Sequence, residues 1–239
     1  MESTIKVLSF DMDGTLITKD FDNKIWFEGI PKVYAEEKGI SFERAREEVI
    51  NKYYALSRET VEWYDVRYWL KEFELKKGWE ELFEKYKDEI RTYPEVEGFL
   101  SLASKKFKLA IITNATREFL NFKLERTKIG KYFSHTFSAT SDFRRPKKGG
   151  KIFTKACKIM KIKSSELLHI GDEPSFDCEF PTSVGVNAIL IDREGRFARA
   201  EKEVRETEGR DIEGEREERI PKCKIIRDLT ELKAILKIS

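Results

Sequence analysis

Hydrophobic and polar residues follow two textures along the chain. The run Ile5-Lys6-Val7-Leu8-Ser9-Phe10 is short, β-branched and aromatic, and predicts a buried strand. From about Lys19 to Tyr93 the apolar positions recur at helical spacing among Glu, Lys and aromatic residues. Pro31 to Lys38 reads as a helix with proline in its first turn and Gly39 as its stop. Ser41 reads as the N-cap of a helix running through Ala45 to Tyr54, and Val61 to Leu75 and Trp79 to Ile90 follow as further helical segments. Trp63, Tyr64, Tyr68, Trp69 and Phe73 form a stripe that reads first as core packing.

Beyond this block strands and helices alternate. Lys108–Ile112, Phe133–Ser138, Leu167–Ile170, Ala188–Ile191 and Lys224–Ile226 read as strands, with helices over Arg117–Arg126, Gly150–Met160 and Leu229–Leu236. That order predicts an α/β fold with a doubly wound parallel sheet built from residues 1–18 and 95–239, interrupted by a helical block over 19–94. The stretch 193–219 mixes both charges densely with few apolar residues, so it reads as a solvated surface insertion, with a lid or partner contact as the other option.

Composition narrows the partners. The 46 basic and 44 acidic residues leave a formal charge of +2, which gives no electrostatic case for nucleic acid. Charged residues make up 38% of the 239 positions and Gln is absent, a pattern of thermophilic ion-pair networks. Cys157, Cys178 and Cys223 are far apart and lack a CxxC spacing, so neither a zinc site nor a disulfide framework is expected. No signal peptide or membrane span stands out, and the expectation is a soluble cytoplasmic protein with no membrane partner.

The chemistry concentrates where predicted strands end. Asp11-Met12-Asp13-Gly14-Thr15 follows the first strand, with two carboxylates at i and i+2 leaving the same side of an extended chain. Burying two like charges together is costly unless a cation or a shared proton compensates. A plain turn would also use Asp and Gly, but Thr113 and Asp172 stand at the ends of two other predicted strands. In doubly wound sheets ligands sit beyond those carboxyl ends.

With Asp11-Met12-Asp13-Gly14-Thr15, Thr113-Asn114, a basic cluster and Gly171-Asp172…Asp177 in this order, the chain resembles the haloacid dehalogenase superfamily over nearly its whole length. The resemblance implies a Rossmann-like core with an inserted α-helical cap, and a phosphatase acting on a small phosphorylated metabolite. By that resemblance Asp11 is the nucleophile that forms an aspartyl-phosphate, and Asp13 protonates the leaving oxygen and then activates water. Mg²⁺ is the implied cofactor, held by Asp11, the Asp13 backbone carbonyl and Asp172, with Asp177 orienting the metal surroundings. Thr113 binds a phosphoryl oxygen and Asn114 shapes its loop. Glu173 stands beside the site, whereas His169, inside an apolar strand, reads as a core histidine and His135 has no role.

The cationic position departs from the family pattern, which places Lys-Pro shortly before an Ile-Phe helix start. Here the run is Arg144-Arg145-Pro146-Lys147-Lys148-Gly149-Gly150-Lys151-Ile152-Phe153. Anchoring on Ile152-Phe153 selects Lys147 as the phosphate-neutralising cation; Arg145 and Lys148 are the alternatives. Asp13 favours phosphoryl transfer, because the dehalogenases proper lack the second acid. Carbon–halogen cleavage, or a phosphate-binding regulatory module that does not turn over, remain the alternatives.

Overall fold

The computed structural model describes residues 4–147, 149–197 and 223–238. Strands β1 (Val7–Phe10), β2 (Lys108–Thr113), β3 (His135–Ser138), β4 (Leu167–Gly171), β5 (Asn187–Ile191) and β6 (Lys224–Ile226) form one parallel sheet in the order β3-β2-β1-β4-β5-β6. The chain winds from β1 outward to β3, then returns to β4 on the other side of β1. The topological switch point therefore lies between β1 and β4. There Phe10 pairs with Ile111 on one side and Ile170 on the other, so three strands finish side by side.

Helices cover both faces, which is why the strands are apolar almost throughout. Leu8 and Phe10 pack with Val96, Phe99, Leu100, Leu229 and Leu232, while Val7, Ala110 and Leu167 pack with Ile152, Phe153 and Ala156 on the opposite face.

The helices, in chain order, are α1 (Asp20–Lys24), α2 (Ile30–Lys38), α3 (Phe42–Ala55), α4 (Val66–Glu72), α5 (Trp79–Tyr86), α6 (Val96–Ala103), α7 (Arg117–Thr127), α8 (Ala139–Phe143), α9 (Lys151–Met160), α10 (Phe180–Ser183) and α11 (Leu229–Ile235). The first five make the inserted helical cap. Its centre is aromatic: Phe21, Tyr53, Trp69, Phe73 and Phe83 are buried together, and Phe119 of α7 joins them from the sheet domain. Tyr53 and Trp69 meet edge to face at 4.7 Å.

Three local expectations change. Helix begins at Asp20 rather than Pro31, and a π-helical turn over Ile25–Gly29 joins α1 to α2. Pro31 has no N–H to donate to the carbonyl four residues back, and the wider turn absorbs the gap. The segment Val61 to Leu75 is not one helix: a 3₁₀ turn over Glu62–Tyr64 precedes α4, whose N-cap Asp65 accepts from the Arg67 N–H at 2.9 Å. Trp79 to Ile90 likewise ends as α-helix at Tyr86 and continues as a 3₁₀ turn over Lys87–Glu89.

The cysteine expectation is overturned. Cys178 and Cys223 form a disulfide across 45 positions, with Cα atoms 6.0 Å apart, leaving Cys157 as a buried free thiol. Spacing along the chain carried no sign of it. The turn after β4 and the start of β6 both pack beside Leu190 of β5, and only the folded sheet brings them together. No helix among the described residues is long and apolar enough to cross a membrane.

Candidate active site

The loop after β1 turns within five residues because Gly14 takes φ +76°, and a Cβ there would lie 2.5 Å from Asp172 Oδ2. Asp11 is fixed by its backbone N–H, which donates to the Ile170 carbonyl at 2.8 Å, so β1 and β4 hold the carboxylates of Asp11 and Asp172 across the switch point. Gly171 serves the same convergence: any side chain there would collide with the Asp177 carboxylate.

Lys147 is fully buried, and its Nζ lies 2.5 Å from Asp177 Oδ1 and 3.2 Å from Asp11 Oδ1. Burial opposes the ammonium, but the Asp11 and Asp177 charges outweigh it and hold its pKa above the ordinary lysine value. Arg145, by contrast, is exposed, and Lys148 lies outside the described residues. Asp177 is engaged on both oxygens: Oδ1 accepts from Lys147 and pairs with His169 Nε2 at 3.0 Å, and Oδ2 accepts from the Glu173 N–H at 3.0 Å. Burial raises its pKa, yet Lys147 and His169 override that and keep it well below the usual carboxylate range. His169 is buried in β4 with its Nδ1 2.8 Å from Ser9 Oγ, and burial lowers its pKa. It is a satisfied core histidine that braces Asp177.

Thr113 ends β2 nearly buried, and its Oγ1 accepts from the Ala115 N–H at 3.2 Å. Asn114 ties two elements to this loop: Oδ1 accepts from the Lys147 N–H at 2.8 Å, and Nδ2 donates to the hydroxyl of Tyr64, in the cap, at 3.3 Å. Burial pushes the Tyr64 phenol up to about 12, so it stays neutral.

Two lysines that sequence reasoning passed over complete the charge pattern. Lys19 Nζ donates to Asp172 Oδ2 at 2.6 Å. Burial and the Asp11 charge raise the Asp172 pKa to about 6 against the opposing pull of Lys19. Lys123, wholly buried on α7, donates to Asp13 Oδ1 and to Asp22 Oδ2, each at 2.5 Å. Burial first, then the Asp22 charge, raises the Asp13 pKa well above its ordinary value, and Lys123 partly offsets this. A signal for Lys123 was present: it shares the buried face of α7 with Phe119 and Leu120, where a charge has no reason to sit unless paired. Nothing local marked Lys19 or Asp22.

The segment after β5 is less solvated than its composition suggests, at least over its first residues. Arg193 donates to the Thr15 carbonyl at 2.6 Å and pairs with Glu95, and Arg196 donates to the Asp172 carbonyl at 3.2 Å. Positions 198–222 lie outside the described residues.

These groups open into a cavity of about 350 Å³ between sheet and cap. Asp11, Asp13, Thr113, Lys147 and Asp172 form its polar floor, and Trp26, Tyr53, Trp63, Tyr64, Trp69 and Phe119 form much of its wall. The aromatic stripe thus divides: Phe73 packs the cap interior, Trp69 packs there and also borders the cavity, and Trp63 and Tyr64 reach the cavity.

One oxygen from each of Asp11, Asp172 and Asp177 lies within 4.8 Å of the other two. Asp11 Oδ1 is buried with the Lys147 ammonium at 3.2 Å as its ion-pair partner, and an all-carboxylate set suits a hard cation such as Mg²⁺. With Asp177 engaged elsewhere, Asp11 and Asp172 fit that ion, and Lys19 is the cation that would have to leave Asp172.

Haloacid dehalogenase-like hydrolases match this chain over residues 8–191. The GMP/IMP nucleotidase YrfG of Escherichia coli is 25% identical over 170 residues, covering 70% of this chain and 74% of its own. Among solved structures, a haloacid dehalogenase-type phosphatase from Thermococcus onnurineus superimposes with a TM-score of 0.79 at 26% identity, covering 97% of this chain and 98% of that one. A 2-haloacid dehalogenase from Pseudomonas syringae shares the fold at a TM-score of 0.60 and 20% identity, over 98% and 99% of the two chains. With its strand-end loops gathered at the switch point beneath a helical cap, the chain belongs to the haloacid dehalogenase-like hydrolases and is a hydrolase.

Proposed function

We propose that this hydrolase is a Mg²⁺-dependent phosphomonoesterase working through an aspartyl-phosphate on Asp11, and that its substrate is a small phosphate ester with a flat ring in the leaving group. The observation that carries the reading is the pairing of two acids, Asp11 and Asp13, on one cavity floor, each beside its own buried lysine.

Asp11 attacks phosphorus while Lys147 faces its carboxylate and offsets the crowded negative charge of acid and phosphate. The Thr113 hydroxyl proton is available to a phosphoryl oxygen, because Oγ1 already accepts from the loop backbone. Asn114 holds Lys147 in register through the backbone. Asp13, whose raised pKa favours the protonated form, supplies the proton to the leaving oxygen, and its carboxylate then takes a proton from the water that hydrolyses the acyl phosphate. A Mg²⁺ ion held by Asp11, the Asp13 carbonyl and Asp172 would lend positive charge to the transferring oxygens.

Aromatic walls favour a planar leaving group by stacking. YrfG, named for GMP and IMP, has such substrates, and nucleoside monophosphates are therefore the class to test first. Asp13 sets the reading apart from carbon–halogen cleavage, which forms an ester without a leaving alkoxide to protonate.

Purified protein, assayed with Mg²⁺ and with EDTA on p-nitrophenyl phosphate, GMP, IMP and 2-chloropropionate, tests both levels. Metal-dependent phosphate release that disappears in Asp11→Asn supports the phosphatase, and preference for the purine nucleotides supports the substrate class. Chloride release without phosphate release would mean that the chain is a dehalogenase. Phosphorylation that persists without turnover would mean a regulatory module.

A further inference from the structure

The chemistry above leaves Lys123 without a direct role, yet the fold devotes a fully buried ammonium to it. Its Nζ is enclosed by Asp13 Oδ1 and Asp22 Oδ2 at 2.5 Å each, and by the rings of Phe21 at 5.6 Å and Phe119 at 5.1 Å. A leucine or methionine would fill the same face of α7 without desolvating a charge, so packing does not account for it. The three partners also come from three places: Asp13 from the loop after β1, Lys123 from the core helix after the Thr113 loop, and Asp22 from the first cap helix.

We propose that Lys123, itself held by Asp22, is a positioning residue that fixes the Asp13 carboxyl group for proton transfer to the leaving oxygen. This rests on the reading of Asp13 as the acid. In the first half-reaction an Asp11 oxygen bonds to phosphorus, the bond from phosphorus to the leaving oxygen breaks, and the Asp13 proton passes to that oxygen. In the second half-reaction a water oxygen bonds to phosphorus, its proton returns to Asp13, and the Asp11–phosphorus bond breaks. Lys123 neither gives nor takes a proton; it keeps one Asp13 oxygen in place so that the carboxyl group meets the ester.

Leaving-group dependence reads this role directly. p-Nitrophenolate departs without a proton, whereas phenolate and more basic groups need one. Across a series of ring-substituted phenyl phosphates, Lys123→Met should lower kcat for phenyl phosphate at least about tenfold more than for p-nitrophenyl phosphate, steepening the dependence. On an Asp13→Asn background the same substitution should add no further steepening, since it acts through Asp13. Asp22→Asn, which removes the cap-side partner but keeps the lysine, should steepen the series in the same direction and serves if Lys123→Met does not fold. A folded Lys123→Met or Asp22→Asn that slows all esters equally overturns the assignment, because a purely structural role predicts that. So does steepening that persists undiminished on the Asp13→Asn background. Failure of the wild type to hydrolyse any ester overturns the phosphatase reading itself, and this inference with it.

Discussion

At the residue scale the site is a set of buried charges, each answered by another. Asp11→Asn keeps shape and removes the nucleophile, so turnover should fall by at least about 10³-fold with an unchanged melting temperature, measured by steady-state assay beside thermal unfolding. Lys147→Ala should cost about 10²–10³-fold in kcat. It also strands the Asp177 charge in the interior, at about 3–5 kcal/mol of stability. Arg145→Ala, on an exposed side chain, should change neither by much, and the reverse order of effects would move the phosphate-neutralising cation to Arg145.

Asp172, with a pKa near 6 in the metal-free protein, gives the pH dependence its sign. Above that value the group is ionised and free to hold a cation; below it a proton competes. Mg²⁺ affinity measured by calorimetry should therefore fall by about tenfold for each unit below about pH 6. Affinity independent of pH there would remove Asp172 from the ligand set. The carboxylates at strand ends were legible because Asp11-Met12-Asp13-Gly14-Thr15 and Gly171-Asp172 are contiguous patterns. Lys19 and Asp22 were not, because their partners lie 153 and 101 positions away in Asp172 and Lys123, and only the fold supplies them; Lys123 was marked by its place on an apolar helix face, but its partner Asp13, 110 positions away, was not.

At the element scale, strand identity was readable and helix extent was not. β-branched runs such as Leu109-Ala110-Ile111-Ile112 announce buried strands through continuous apolarity. Helix limits in the cap depend on events without such a signal. The π turn before Pro31 answers a missing hydrogen bond, and Asp65 starts a new helix by capping it. The cap stands on its aromatic centre, in which Phe83 is fully buried against Phe21 and Phe119 at 5.2 and 4.5 Å. Phe83→Ala should destabilise the protein by about 3–5 kcal/mol in denaturant unfolding. A loss below 1 kcal/mol would mean that the cap does not unfold together with the sheet domain.

At the scale of the whole molecule, the doubly wound parallel sheet was legible from the alternation of strands and helices, while its strand order, which brings Asp11, Thr113 and Asp172 to one place, comes from the fold. The Cys178–Cys223 bridge was not legible, because it joins segments that only the finished sheet places together. The bridge ties the turn that carries Asp177 to β6, so reduction should lower stability by about 2–4 kcal/mol, seen as a lower melting temperature in reductant. Cys223→Ser should show the same loss and become insensitive to reductant.

The central claim, a covalent phosphoryl group on Asp11, has a direct test. Borohydride reduces an acyl phosphate to an alcohol, so enzyme quenched during turnover and then reduced should carry homoserine in place of Asp11 on peptide mapping, and enzyme without substrate should not. Homoserine at Asp13 or Asp172 instead, or none anywhere while phosphate is being released, would contradict the account.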